Sequence, residues 1–230
     1  TEALAWMGAD VVKVENPKMG DPGRRLRPGQ PDDDPYYFHV FNANKKSVAV
    51  NLKSETGLAL VKDMIRGADV MVENFAPGAI ERLGLSYDVV KEINPGIVYA
   101  QIKGFGEGSP YERNLAFDMI AQAAGGTFSV TGEADGPPTR PGISIGDTGT
   151  GMVMAFTIAS ALHKRKETGE GHHLQVAMQD AILHYMRTNF ATTGRTGKAA
   201  GRAGSKIADT QSAPKGLFSC APGGPNDYVY

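Results

Sequence analysis

Short β-branched and apolar runs alternate with amphipathic stretches along most of the chain, and this alternation predicts its elements. Val11-Val12-Lys13-Val14, following Gly8, predicts a strand. Ser47-Val48-Ala49-Val50-Asn51 predicts a second, Val70-Met71-Val72 a third, and the run from Ile97 to Ile102 a fourth. Between the second and third, Leu58, Val61 and Ile65 recur at helical spacing behind Ser54, which predicts a capped helix closed by Gly67. Short helical turns are expected near Ala79 to Leu83 and from Ser86 to Ile93, where Asn94-Pro95-Gly96 stops the second. Further on come a helix from Asp118 to Ala124, a long buried helix from about Thr148 to Lys166, a strand at His173 to Val176, and a helix from Gln179 to Phe190. Strands alternating with helices predict an α/β fold: a Rossmann-like, mostly parallel sheet with covering helices.

Between these elements the composition changes. Residues 16 to 36, rich in Pro, Gly, Asp and Arg, predict a long loop, and long loops in compact domains tend to be functional or mobile. Residues 132 to 146 form a Gly/Pro loop. From Thr192 to Lys215 the chain turns to Gly, Ala, Lys and Arg, which is the composition of a linker. The expected organisation is therefore a large α/β domain over 1–191, a linker over 192–226, and the start of a second domain at 227–230. The chain opens in a helix-like stretch, Thr1 to Met7, without an initial Met or a signal-peptide pattern, and stops at Asp227-Tyr228-Val229-Tyr230, which resembles the start of a strand. It is expected to be a piece of a longer chain, truncated at both ends.

Composition narrows the classes. The 230 residues are 41% hydrophobic and 21% charged, as in ordinary globular proteins. A net charge of -1 argues against whole-surface attraction to nucleic acid or to an anionic membrane, so any anion site must be a local cluster. The single cysteine, Cys220, excludes an intrachain disulfide and a multi-cysteine zinc site, and fits a reducing, cytoplasmic setting. The longest apolar stretch, Gly151 to Leu162, is too short for a membrane span. No histidine spacing predicts a metal site; His172 and His173, adjacent on a strand, are expected to point to opposite faces. Arg195, Lys198, Arg202 and Lys206 lack interleaved aromatics that would stack bases, so they read as a solvated linker.

Three clusters have chemical potential. Gly146-Asp147-Thr148-Gly149-Thr150-Gly151 puts a carboxylate where a loop meets the long helix. Asp147 can serve there as a helix N-cap, or as a nucleophile that flanking glycines leave open to a ligand; the two readings are compatible. Gly104-Phe105-Gly106-Glu107-Gly108 follows a strand as a dinucleotide loop does, but no apolar helical run begins behind it and Pro110 intrudes, so a tight loop is the better reading. Lys53, Asn74, Phe75 and Arg82 lie at or just past the ends of predicted strands, where open α/β sheets bind ligands and where a phosphate-rich ligand would need cations and backbone donors.

Several segments in collinear order resemble the class III CoA-transferases. They are Gly8-Ala9-Asp10-Val11-Val12-Lys13-Val14-Glu15, Asn42-Ala43-Asn44-Lys45-Lys46-Ser47, Val72-Glu73-Asn74-Phe75-Ala76-Pro77-Gly78, Lys103-Gly104-Phe105-Gly106, Gly146-Asp147 and Ala177-Met178-Gln179-Asp180-Ala181. The resemblance implies that the chain is the large domain of such an enzyme, with the catalytic Asp at Asp147 and a second active-site carboxylate at Asp118. It implies coenzyme A contacts at Val50, Asn51, Leu52, Lys53, Asn74, Phe75 and Arg82. Where the family has a CoA-holding Arg this chain has Asn16, with Lys18 close by in sequence, and where it has a CoA-contacting Lys this chain has Leu115.

The implied activity is transfer of CoA from an acyl-CoA thioester to a free carboxylic acid through an aspartyl anhydride and an aspartyl-CoA thioester. Acyl-CoA and a small carboxylic acid are then the partners, CoA is a substrate with no permanently bound cofactor beside it, no nucleic acid or membrane is involved, and the assembly is an interlocked homodimer. Ala177-Met178-Gln179-Asp180-Ala181 and Asp135-Gly136-Pro137-Pro138 resemble the formyl-CoA:oxalate branch more than the carnitine branch. A 2-methylacyl-CoA racemase of the same family is the nearest alternative, but racemases carry a His before the acid at Asp118, and Phe117 cannot move a proton. A nucleotide-binding dehydrogenase fragment and a non-catalytic CoA-binding module are more distant readings.

Overall fold

A computed structural model describes residues 1–26, 34–206 and 215–230. After α1 (Glu2–Trp6), the first predicted strand forms as β1 (Val11–Glu15) and pairs in parallel with β2 (Lys45–Ala49), Val11 opposite Lys45 and Glu15 opposite Ala49. The second strand thus lies two residues earlier than its apolar run predicts. The reason is the turn behind it: the Asn51 carbonyl accepts from the Ser54 amide at 3.0 Å and the Ser54 hydroxyl at 2.9 Å, so residues 50–53 are committed to a bend. Ser54 then caps α3 (Glu55–Arg66), its hydroxyl accepting from the Gly57 amide at 3.1 Å, as its position before the amphipathic run predicts.

Between β1 and β2 lie a 3-10 turn at Pro22–Arg25 and α2 (Tyr36–Asn42), in a stretch whose apolar pattern predicts neither. The chain continues through β3 (Val70–Glu73), α4 (Ala79–Arg82), α5 (Tyr87–Ile93) and β4 (Val98–Lys103). β3 and β4 are parallel, Val70 opposite Val98, and β4 is the middle strand between β3 and β5 (His172–Ala177). That central place explains why Val98 to Gln101 are all buried. Ile97 and Tyr99 face one core with Val61, Ile65 and Val90, while Val98 and Ala100 face another with Met154, Ile158 and Ala161. Each such aliphatic side chain removed from water is worth about 1.5–3 kcal/mol.

The second half of the chain adds α6 (Asp118–Ala124), α7 (Thr127–Val130), α8 (Ile145–Thr168), α9 (Met178–Tyr185) and α10 (Arg187–Thr196). The helix expected over 179–190 is two helices divided at Met186, and the Gly/Ala/Lys/Arg segment begins inside the second of them. Gly125, at the end of α6, abuts Ile182 of α9 so closely that a Cβ there would lie 2.2 Å from the Ile182 Cγ2. Arg202 donates to the Gly136 carbonyl at 2.7 Å and the Glu133 carbonyl at 3.3 Å, holding down the loop between α7 and α8. The short strands β6 (Phe218–Ser219) and β7 (Tyr228–Val229) pair antiparallel.

The chain divides into two compact units, 1–103 with 151–176 and 104–150 with 177–230. No helix among the described residues is long and apolar enough to cross a membrane.

Candidate active site

Asp147 lies on the first turn of α8. The helix starts at Ile145, not Thr148, which makes Asp147 its third residue and removes the N-cap reading. The capping contact runs the other way: Asp118 Oδ1, on α6, accepts from the Asp147 backbone amide at 3.2 Å. An amide of the first helical turn has no partner within its own helix, and a carboxylate placed there also meets the positive end of the helix dipole. Two acidic residues 29 positions apart are thereby held side by side. The Asp147 side chain reaches solvent, yet its carboxyl is pushed above the ordinary aspartate range, first by partial desolvation and then by the Asp118 charge. When ionised, a carboxylate of raised pKa is a better nucleophile than an ordinary one.

Backbone amides from Gly146 to Gly149 would be natural oxyanion donors, but those of Asp147 and Thr148 are engaged, and that of Gly149, the fifth residue of α8, lies within the helical hydrogen-bond ladder. The Asp147 amide serves Asp118, and the Thr148 amide donates to the Ser144 carbonyl at 2.9 Å. Glycine is required at two positions here. A Cβ on Gly146 would lie 2.7 Å from the Asp118 carbonyl oxygen and 2.9 Å from its Oδ1; one on Gly149 would lie 2.8 Å from the Tyr185 ring. The Tyr185 hydroxyl donates to the Gly149 carbonyl at 3.2 Å. Behind Asp118, the side chain of Gln122, wholly buried, donates to Asp118 Oδ2 at 2.8 Å and to the Ile143 carbonyl at 3.0 Å. The sequence pattern does not single out Tyr185 or Gln122. The available signal for Gln122 was its position one helical turn beyond Asp118.

In the other unit, the expected CoA-contacting residues fall on two connections that share one core. Val50 belongs to the buried cluster that contains Ile80 of α4, and Leu52, partly buried, packs against that cluster. Lys53 is exposed on the same bend, which Asn51 shapes by accepting from the Lys53 amide at 3.1 Å. The bend needs Gly57, because a Cβ there would lie 2.2 Å from the Asn51 carbonyl oxygen. Beyond β3, the Phe75 amide donates to Glu73 Oε2 at 2.7 Å, while Lys103 and Gln101 donate to Oε1 at 2.7 and 2.5 Å. This nearly buried carboxylate fixes the Asn74-Phe75 turn and leaves both side chains exposed. Gly78 follows with φ +75°, a left-handed conformation that suits glycine, and Arg82 folds back over it.

Asn16 is used locally: its side-chain oxygen accepts from the amides of Lys18 at 2.9 Å and Met19 at 3.1 Å. The loop it starts is organised by Glu15, buried and bonded to Arg24, Ser47 and the Asp21 amide; Arg24, foremost, holds the Glu15 carboxyl well below the usual range, at about 2. Leu115 and Phe117 are exposed ahead of α6. The Gly104 loop folds against Ala116, and the next helix begins only at Asp118, so the dinucleotide arrangement does not form. His172 and His173 alternate in burial along β5, as expected, and His173 stacks on Tyr87 at 4.5 Å.

CoA-transferase family III matches residues 1–226. A formyl-CoA:oxalate CoA-transferase of Streptomyces coelicolor is 47% identical over 243 residues, covering 100% of this chain and 58% of that protein. One from Escherichia coli O6:H1 is 42% identical over 198 residues, covering 86% of this chain and 48% of that protein. Among solved structures, a CaiB/BaiF family protein from Brucella suis superposes with a TM-score of 0.89 at 34% identity, covering 96% of this chain and 59% of that one. Rv3272 from Mycobacterium tuberculosis gives 0.76 at 30% identity, covering 83% and 53%. This chain spans only about half to three fifths of the length of these relatives. With a family match over nearly its whole length and curated relatives at 42–47% identity, the chain belongs to CoA-transferase family III.

Proposed function

We propose that the protein containing this chain transfers CoA from an acyl-CoA thioester to a free carboxylic acid, with formyl-CoA and oxalate as the best-supported pair. The observation that carries this reading is the exposed Asp147 carboxylate on the first turn of α8, joined through its backbone amide to Asp118. An Asp147 oxygen attacks the thioester carbonyl, the C–S bond breaks, and a mixed anhydride and CoA thiolate result. The thiolate attacks the aspartyl carbonyl, releasing the first acid as its carboxylate and leaving an aspartyl-CoA thioester. The acceptor carboxylate then displaces the thiolate to form a second anhydride, and the returning thiolate takes the acceptor's acyl group and frees Asp147. The attacking species is the anion, so no general base is needed, and CoA enters as substrate. Val50 to Lys53, Asn74, Phe75 and Arg82 are assigned to CoA, with Asn16 shaping the neighbouring loop. Phe117, exposed before Asp118, gives a racemase no second proton carrier.

Replacing Asp147 with Asn in the full-length protein tests the reading. Transfer is expected to disappear while CoA binding persists, because an amide cannot form the exchanging anhydride. With the wild type, acyl-CoA plus hydroxylamine should leave a hydroxamate on the peptide containing Asp147. Full transferase activity in the Asn variant, or a hydroxamate found on Asp118 alone, would end the assignment. We assign the protein to the cytoplasm, in keeping with its single cysteine, and to an interlocked homodimer, which the resemblance to class III CoA-transferases implies. A monomer in sedimentation at micromolar concentration would contradict that assembly.

A further inference from the structure

We infer that Gln122 is a positioning residue for the Asp147 chemistry, acting through Asp118; the inference rests on the transferase reading above. Its side chain is wholly buried, and both ends of the amide are used. Nε2 donates to Asp118 Oδ2 at 2.8 Å and to the Ile143 carbonyl at 3.0 Å. The Thr127 hydroxyl lies 3.4 Å from Gln122 Oε1 and 3.0 Å from the Gln122 backbone carbonyl. The amide has one workable orientation, since turning it over would put Oε1 against a carboxylate and a carbonyl, each an acceptor.

The consequence passes along a chain of contacts. Asp118 spends one oxygen on Gln122 and the other on the Asp147 amide, so its carboxylate plane is fixed at both ends. The same Gln122 amide holds Ile143, two residues ahead of α8. One buried side chain thus sets both the acid beside Asp147 and the loop that delivers the helix carrying it. An apolar side chain of similar length would fill the space and supply neither bond, leaving Asp118 Oδ2 and the Ile143 carbonyl without a donor.

The test uses the full-length protein with Gln122→Met, Gln122→Glu and Asp147→Asn, each checked for folding by near-UV circular dichroism. Gln122→Met is expected to lower kcat roughly tenfold or more, as misplaced catalytic groups do, with KM for acyl-CoA within about twofold of wild type. Hydroxamate formation on the Asp147 peptide should fall in parallel. In Gln122→Glu the new carboxyl faces Asp118 on its own helix, the Thr127 hydroxyl on α7 and the Ile143 carbonyl, with Asp147 beyond Asp118. Protonated, it can donate as the amide does; ionised, it repels Asp118. Its activity should approach wild type toward acid pH and fall away at neutral pH, where wild type does not. If Gln122→Met fails to fold, this pH signature alone decides. Wild-type kcat in Gln122→Met, or a Glu variant with an unchanged pH profile, would overturn the inference. An active Asp147→Asn would instead overturn the transferase reading itself, so the two failures are distinct.

Discussion

Gly146 and Gly151 lie on the same helix, and replacing each by alanine should have opposite effects. Removing a glycine from a helix recovers about 0.8–1.0 kcal/mol of backbone entropy. At Gly151 nothing lies within 4 Å of the added Cβ, so Gly151→Ala should gain close to that full amount. At Gly146 the Cβ would meet the Asp118 carbonyl oxygen at 2.7 Å, its Oδ1 at 2.9 Å and its Cα at 3.1 Å. Two of these contacts involve backbone atoms, which cannot swing aside as the end of a flexible chain can. Overpacking of this kind costs about 1–3 kcal/mol. Moving Asp118 also stretches the 3.2 Å bond to the Asp147 amide, and bonds to charged groups are worth about 1.5–3 kcal/mol. Gly146→Ala should therefore be less stable than Gly151→Ala by about 2–4 kcal/mol once partial relaxation is allowed. Denaturant midpoints of the two full-length variants, read beside kcat, measure this. Equal midpoints with undiminished turnover in Gly146→Ala would refute the idea that the Asp118 approach needs a glycine.

Two further outcomes follow from the electrostatics. Because the folded-state pKa of Asp147 lies above the unfolded value, its protonated form favours folding; that stability is present below about 3.9 and is lost as pH rises through the folded pKa. Asp147→Asn should accordingly melt higher than wild type at pH 7 and alike near pH 3, and a gap that is the same at both pH values would contradict the account. Arg82→Ala should weaken CoA binding by about 1.5–3 kcal/mol if its guanidinium meets a phosphate, and unchanged affinity in calorimetry would remove Arg82 from the site.

Much of the fold was legible because its signals are local. The Ser54 cap, the Leu58, Val61, Ile65 face and the β4 run each lie within a dozen residues. The misplaced elements have equally physical reasons. α2, Tyr-Tyr-Phe-His-Val-Phe-Asn, is apolar nearly all round and shows no clean period; the Tyr37–Phe41 contact at 4.9 Å reveals its helical spacing only after folding. The break at Met186 has no Gly or Pro to announce it. Asp147 and Asp118 were each legible from the family resemblance, but their pairing was not: it depends on a tertiary approach between segments 29 residues apart. Gln122 was harder still, since a glutamine on a helix ordinarily reads as solvent-facing.

The loops beside the sheet separate two kinds of positive charge. Arg24 and Lys103, their side chains 30% and 11% exposed, are paired with the buried carboxylates of Glu15 and Glu73, which are only 4% and 2% exposed. Lys53 and Arg82 stand at the surface. Dissolved ions screen these two populations unequally: at physiological salt the screening length is about 8 Å in water, but counterions do not enter the interior. If Lys53 and Arg82 meet CoA phosphates as proposed, raising ionic strength should weaken that contact while the loops that present them keep their shape. Architecture and the proposed recognition would then answer to different electrostatic environments, with simple salt enough to separate them.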